Sequence, residues 1–299
     1  WSIVMTKKDS SSRNSNIELL RIIAIILITF NHIYNKGVDK SVILGEFESV
    51  NAAISVFFHI GGKYGCNLFL IISAWFLAEK KIDWKAALKI WIQTVFYTLV
   101  LDIISVALFR ADLTSRDILS IFLPLSLGTY WYSTAYAVML IMGPILRKLF
   151  DKCGKLKPVL ILVAGIALSL IPTLTLEGTV LGKNRYLTLL FKVLTYPPIW
   201  FLYIYVLMGY LKTRKVKVPR PRSSLIISIA LYIAMFLITW RLFFGVGCGT
   251  LPETWQFASL RQLNSPLCFL SAYYLFIAAR DARPASIRWV NRIAGYTYG

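Results

Sequence analysis

Long blocks of apolar residues are the feature of this sequence that most limits what it can fold into. The chain has 299 residues, of which 57% are hydrophobic, and the apolar residues form runs long enough to cross a bilayer as helices. A soluble protein of this size cannot bury so many helices that are apolar on every side. Inside lipid, each backbone group must find its partner within the same helix or in a closed barrel. We therefore predict an all-α, polytopic transmembrane helix bundle.

The apolar runs predict eight spans and the start of a ninth, so that the complete protein has about nine to ten spans and the last is truncated here. We expect the second span to be broken at Gly61-Gly62, and the short pieces 118–127 and 186–194 to be re-entrant or interfacial. Residues 1–16 are expected to form a cytoplasmic tail, with residues 1–4 ahead of Met5 being vector-derived. The predicted spans are Ile17–Tyr34, Ala52–Ala78, Ala86–Phe109, Thr129–Phe150, Pro158–Thr173, Thr195–Leu211, Leu225–Phe244, Phe257–Ala279 and a ninth from Arg292.

The charge pattern predicts the orientation in the membrane. The formal net charge is +19, and Lys and Arg cluster after the second, fourth, sixth and eighth spans, whereas acids accompany the cations after the odd ones. Cytoplasmic loops carry such an excess of cations, so the N-terminus is predicted to be cytoplasmic in a multi-pass protein of the inner or plasma membrane. Contacts with membrane lipid head groups explain the cations, and nucleic acid is not expected as a partner.

Cysteine and histidine are too scattered to predict a metal centre. The four cysteines form no C-x-x-C pair, and His32 and His59 are the only histidines. Zinc sites need several such ligands at close spacing. We therefore expect no metal, no disulfide framework and no permanently bound cofactor.

The first span carries polar groups that a simple anchor would lack, namely Glu18, Arg21, Asn31 and His32. Arg21 and His32 are eleven positions apart, so they lie within about 20° of each other around a helix and about 16 Å apart along it. Glu18 and Arg21 could equally be an interfacial pair that reaches the head groups, and His32 a histidine at the outer interface or bonded to a neighbouring helix. Ionisable groups on one stripe favour a functional reading, and histidine exchanges protons readily near neutral pH.

The second span begins with a glycine-rich stretch, Gly61-Gly62-Lys63-Tyr64-Gly65, and continues as Cys66-Asn67-Leu68-Phe69-Leu70-Ile71-Ile72-Ser73-Ala74-Trp75. Taken alone, this is a helix with small residues for close packing. Together with the Glu-Leu-Leu-Arg and Asn-His segments of the first span, it closely resembles the integral-membrane acyltransferase family 3. The segment from Tyr130-Trp131-Tyr132 to Pro144 and the final residues 292–299 are also similar to that family. Asn67, Ala74 and Asn31 depart from the family's usual Asp, Gly and His.

The resemblance implies a membrane acyltransferase domain over residues 17–299, C-terminally truncated. It implies transfer of an acyl group, commonly acetyl, from cytoplasmic acyl-CoA as donor to a hydroxyl of an envelope or lipid-linked carbohydrate, which is polysaccharide modification by an O-acetyltransferase. His32 would be the general base, Arg21 would orient the donor or stabilise negative charge, and Glu18 would fix Arg21. Further candidates for substrate or donor binding are Asn31, Lys63, Asn67, Ser73, Tyr130, Trp131, Tyr132 and Arg261.

Two other functions fit the same sequence. In a transporter or flippase for a polar metabolite or lipid-linked sugar, Arg21 and His32 would line the pathway. Transporters often carry matched repeats with interrupted helices, and the prolines here do not form two matching halves. The chain could also be the membrane domain of a larger fused enzyme, because the membrane half of membrane-bound serine racemases resembles the same family.

Overall fold

The structure, a computed structural model, consists of helices and their connections in the part of the chain that it describes. Described are residues 14–37, 50–109, 114–115, 119, 121, 130–174, 186, 196–214, 218–245 and 262–296. The helices are α1 Ser15–Gly37, α2 Val50–Leu77, α3 Trp84–Phe109, α4 Trp131–Asp151, α5 Lys157–Leu174, α6 Pro197–Arg214, α7 Pro221–Gly245, α8 Pro266–Asp281 and α9 Arg288–Ala294, with a 3₁₀ turn at Gly154–Leu156 before α5.

The predicted all-α, polytopic fold class is confirmed. The first seven predicted spans each correspond to a helix whose ends lie within a few residues of the predicted ones. Within the described residues, five helical stretches are long and apolar enough to cross a membrane: Ser15–Tyr34, Ala53–Leu77, Trp84–Leu108, Trp131–Asp151 and Pro221–Trp240. The larger number of spans in the complete protein stays a prediction.

Three details of the predicted helices are wrong. The second helix is continuous through Gly61-Gly62, because both glycines lie against α1, whose close approach requires the absence of a side chain there. The eighth helix begins at Pro266 and not at Phe257, since residues 262–265 form a turn and proline is suited to the first helical position. The last helix begins at Arg288, before the predicted Arg292, and ends at Ala294. The pieces 118–127 and 186–194 lie outside the described residues apart from isolated positions.

The helices form two compact units. The first contains residues 1–73, 168–192 and 216–299, and the second contains residues 74–167 and 193–215. The first unit therefore holds α1, most of α2, α7, α8 and α9, and the second holds α3, α4, α6 and most of α5.

The core of the first unit is the middle of α2, where an uninterrupted buried run extends from Leu68 to Ile72. Helices α7 and α8 are joined beside it by two reciprocal bonds. The Ser228 hydroxyl donates to the Ser271 carbonyl at 2.8 Å, and the Ser271 hydroxyl donates to the Ser228 carbonyl at 2.9 Å. The Tyr64 hydroxyl of α2 lies 3.4 Å from Ser228 Oγ. Small hydroxyl residues at a helix contact allow close packing and supply hydrogen bonds across it.

Replacing Ser271 with alanine is expected to lower the free energy of unfolding by about 0.6–1.7 kcal/mol, because one interhelical hydrogen bond is lost. The measurement is denaturant unfolding of the purified protein in detergent micelles. Ser223→Ala is the matched control, since Ser223 lies exposed on α7. Equal stability of the two variants would contradict the contribution assigned to this pair.

In the second unit, the C-terminal ends of α2, α4 and α6 meet. Lys212 Nζ lies 2.9 Å from Glu79 Oε2, just beyond the end of α2. Arg147 Nε lies 3.2 Å from Asp151 Oδ2 on α4, and its Nη2 lies 3.4 Å from the Thr213 hydroxyl on α6. The exits of the second, fourth and sixth predicted spans therefore lie on one side of this unit, as alternation of spans requires.

The outward face of α3 is apolar, which suits contact with lipid. Its exposed large side chains include Leu88, Ile92, Phe96, Leu99 and Ile103. Lipid tails solvate such side chains at no cost, whereas water would not. The chain is thus a multi-pass membrane protein, and its polar groups are the ones that need explanation.

Candidate active site

The N-terminal end of α1 carries a buried carboxylate paired with a cation. Glu18 lies in the first helical turn and is only 6% exposed. Arg21 Nη1 lies 3.3 Å from Glu18 Oε2 and 3.4 Å from Oε1, which is the geometry of an i,i+3 ion pair. The Arg21 side chain keeps 30% exposure. Glu18 therefore holds the guanidinium, while the Arg21 side chain as a whole is not fully buried.

The same end of α1 is fixed by the segment around α9. The Ser15 hydroxyl donates to Asn291 Oδ1 at 2.8 Å and accepts from the Ile287 backbone N–H at 2.6 Å. The Ser15 backbone N–H donates to the Ala285 carbonyl at 2.8 Å, and the Asn16 side chain donates to the Arg283 carbonyl at 3.0 Å. The bond from the Ser15 backbone N–H satisfies a donor that the first helical turn leaves without an intrahelical partner. The start of α1 and the segment that follows α8 thus lie on one side of the first unit.

His32 lies three helical turns beyond Arg21 on α1, and its side chain is exposed. Its Nδ1 is 2.7 Å from the Ile28 carbonyl oxygen. A carbonyl can only accept, so Nδ1 carries the proton, and in the neutral imidazole Nε2 holds the free lone pair. This is the tautomer in which Nε2 can accept a proton from a substrate.

Helix α1 packs unusually close to α2 on the turns that precede His32. A Cβ on Gly65 would lie 2.6 Å from the Ala24 backbone oxygen, and one on Gly61 would lie 2.9 Å from the Leu27 side chain. Glycine at position 65 therefore permits an approach of the two backbones that a Cβ would block, whereas a Cβ at position 61 would require the Leu27 side chain to shift. A Cβ on Gly62 would likewise overlap a residue of α1, namely the side chain of Asn31.

Asn31 and Asn67 each join two segments by a side-chain amide. Asn31 Nδ2 donates to the His59 carbonyl at 2.6 Å. Asn67 is fully buried and donates to the Leu263 carbonyl at 2.8 Å, with Cys268 Sγ at 3.4 Å. Asn67 thus ties α2 to the turn before α8. An ionised aspartate, the usual residue of the family here, could only accept hydrogen bonds. The Asn67 amide instead donates to the Leu263 carbonyl, so the change from Asp to Asn makes this bond between segments possible.

The remaining predicted binding residues fall in different places. Lys63 and Ser73 are half-buried on α2 in the first unit. Tyr130, Trp131 and Tyr132 belong to the second unit, where the Tyr132 ring lies 5.6 Å from Trp131 and 5.1 Å from Phe201 between ring centroids. Arg261 lies outside the described residues. The structure therefore pairs Glu18 with Arg21, whereas the side chains of the sequence neighbours Asn31 and His32 bond to different carbonyls, those of His59 and Ile28.

Sequence reasoning missed the partners of α1. The His59 carbonyl and the Ile28 carbonyl accept the bonds that fix Asn31 and His32, and a backbone carbonyl leaves no mark in a sequence. Gly62 did carry a signal, because an asparagine in one apolar helix and a glycine in the next are typical of a close polar contact.

Comparison with known proteins decides the family. An acyltransferase-domain family profile matches residues 14–299, which is nearly the whole chain and includes every helix described above. The chain belongs to this acyltransferase family. No curated protein and no solved structure matches it. The resemblance drawn from α1 and α2 is thereby confirmed, and the acyltransferase is a membrane protein with several apolar helices.

Proposed function

We propose that this acyltransferase moves an acyl group, acetyl by family analogy, from cytoplasmic acyl-CoA to a hydroxyl of an envelope or exported carbohydrate. The observation that carries the proposal is the set of polar side chains on α1. In a member of an acyltransferase family, one helix carries an Arg21 side chain that is 30% exposed and paired with Glu18, and a histidine whose tautomer lets Nε2 accept a proton.

In the proposed reaction, His32 Nε2 removes the proton of the acceptor hydroxyl as its oxygen attacks the thioester carbonyl. A C–O bond forms, the C–S bond breaks, and the proton passes from the imidazolium to the departing coenzyme A sulfur. General base catalysis of this kind contributes about 10²–10⁴ in rate. Nε2 suits this step because the Ile28 carbonyl holds the other nitrogen in its protonated form.

Arg21 is about 16 Å from His32 along the helix, so both groups cannot touch the reacting carbon. This separation favours an orienting role for Arg21, which would bind an anionic part of the donor that is remote from the thioester. Its partner Glu18 keeps the guanidinium in one place. Arg pairs with phosphate oxygens through two parallel hydrogen bonds, which fix orientation as well as add affinity.

The orientation in the membrane supports a cytoplasmic donor. The exits of three even-numbered spans meet in the second unit, and the start of α1 meets the segment after α8 in the first. By the positive-inside rule, the excess of Lys and Arg in the sequence after the even-numbered spans favours a cytoplasmic position for those loops. Arg21 would then lie toward the cytoplasmic leaflet and His32 toward the outer one, in an inner or plasma membrane.

The direct test is acyl transfer by the purified protein in lipid nanodiscs, with radiolabelled acetyl-CoA and a set of envelope glycans as acceptors. We expect label to appear in an alkali-labile ester on the glycan. In proteoliposomes, accumulation of a sugar or metabolite without any covalent product would instead establish a transporter and overturn the proposal.

A further inference from the structure

The contact of Asn31 with α2 is tighter than packing alone requires. The Asn31 amide donates to the His59 carbonyl at 2.6 Å. A Cβ on Gly62 would overlap Asn31 Cγ and would lie 2.5 Å from Asn31 Cβ. Glycine at position 62 therefore provides the space in which the asparagine side chain lies, and the His59 carbonyl, one turn earlier, accepts the hydrogen bond of its amide.

This polar contact has a different effect from the apolar contacts on the same helix pair. The close approaches of Gly61 and Gly65 to α1 set the distance between the helices. Each apolar contact between the helices is weak and non-directional. A short N–H···O bond prefers a nearly linear geometry, so it fixes the rotation of α1 at the turn that carries His32.

We propose that Asn31 is a positioning residue, whose bond to the His59 carbonyl aims the Nε2 atom of its neighbour His32 at the acceptor hydroxyl. The inference rests on the proposed function of His32 as general base. Rotation of α1 by about 10° moves a group at the helix surface, roughly 6 Å from the axis, by about 1 Å. A misplacement of about 1 Å can lower a rate by about 10²-fold.

The test is a double-mutant cycle in acyl transfer by the purified protein, which combines Asn31→Ala with His32→Ala. We expect Asn31→Ala alone to lower kcat by about 10- to 100-fold and to leave the donor KM unchanged. In the His32→Ala background, it should cause no further loss, because there is no base left to aim. An equal fold-loss in both backgrounds, or a change in KM with kcat retained, would overturn the inference.

A second cycle keeps the inference testable if the His32→Ala rate is too low to measure. Gly62→Ala pushes the Asn31 side chain out of its place, so it should lower kcat as much as Asn31→Ala does. The double variant should be no slower than the slower single variant, since both changes break the same contact. If the fold-losses in kcat of the two single variants multiply in the double variant, the two changes act independently, and this would contradict the inference.

Asn264→Ala is the matched control. Asn264 is a buried asparagine of the first unit whose amide, like that of Asn31, donates to a backbone carbonyl, that of Leu168. Its replacement should leave kcat per folded molecule unchanged. If it lowers kcat as much as Asn31→Ala, the effect is general loosening of the packing and the inference fails.

If His32→Ala itself keeps the wild-type kcat, the proposed function and the inference fail together. If His32→Ala is strongly impaired but the cycles give the contradicting outcomes, only the inference about Asn31 fails and the proposed function stands.

Discussion

Replacement of His32 with alanine is expected to lower acyl transfer by about 10²–10⁴-fold, the range that a general base contributes. The side chain is exposed and makes its hydrogen bond within its own helix, to the Ile28 carbonyl. Its loss should therefore leave folding and membrane insertion intact. The measurement is kcat with saturating acetyl-CoA, together with the elution profile of the protein in size-exclusion chromatography.

The matched control for this change is Thr29→Val, which alters an exposed polar residue one turn earlier on the same helix. It should keep the wild-type kcat. His32→Gln restores a polar side chain that cannot accept the proton, so it should be as slow as His32→Ala. Full activity of either His32 variant would show that His32 is not the general base.

Replacement of Arg21 with alanine is expected to lower kcat/KM for the donor by about 10²–10³-fold. The guanidinium is paired with Glu18, and its loss would leave the donor without its proposed orienting cation. Arg21→Lys should recover only part of the loss, because an ammonium group lacks the planar fork that binds two phosphate oxygens together. The measurement is initial rate against acyl-CoA concentration for each variant.

A structural effect can be separated from this functional one. Arg21→Ala leaves the buried Glu18 carboxylate without its partner, and an uncompensated buried charge destabilises a protein. In the double variant Glu18→Gln/Arg21→Ala, this charge is absent. If the double variant recovers wild-type kcat/KM, the loss came from the stranded carboxylate, and an orienting function for Arg21 is wrong.

The helices were predictable because their signal is local. A run of apolar residues as long as Ile17–Tyr34 has one stable arrangement in lipid, so its ends follow from the sequence within a few residues. The break expected at Gly61-Gly62 was wrong, because glycine lowers helix propensity in general but here allows α1 to approach. That choice depends on a neighbouring helix, which no single stretch of sequence reveals.

In the candidate site, too, contacts within one helix could be predicted from the sequence, and contacts between helices could not. The pairing of Glu18 with Arg21 followed from a three-residue spacing on one helix and is present at 3.3 Å. The bond from Asn31 to the His59 carbonyl joins positions in different helices, so it required the register between α1 and α2. The roles of His32, Arg21 and Glu18 in catalysis stay predictions.

The most direct measurement of the central claim is mass spectrometry of envelope glycans from cells that produce the wild-type protein, the His32→Ala variant at equal level, or neither. The account predicts acyl esters on carbohydrate hydroxyls in the first cells and their loss in the other two. The same ester content in wild-type and His32→Ala cells would contradict it.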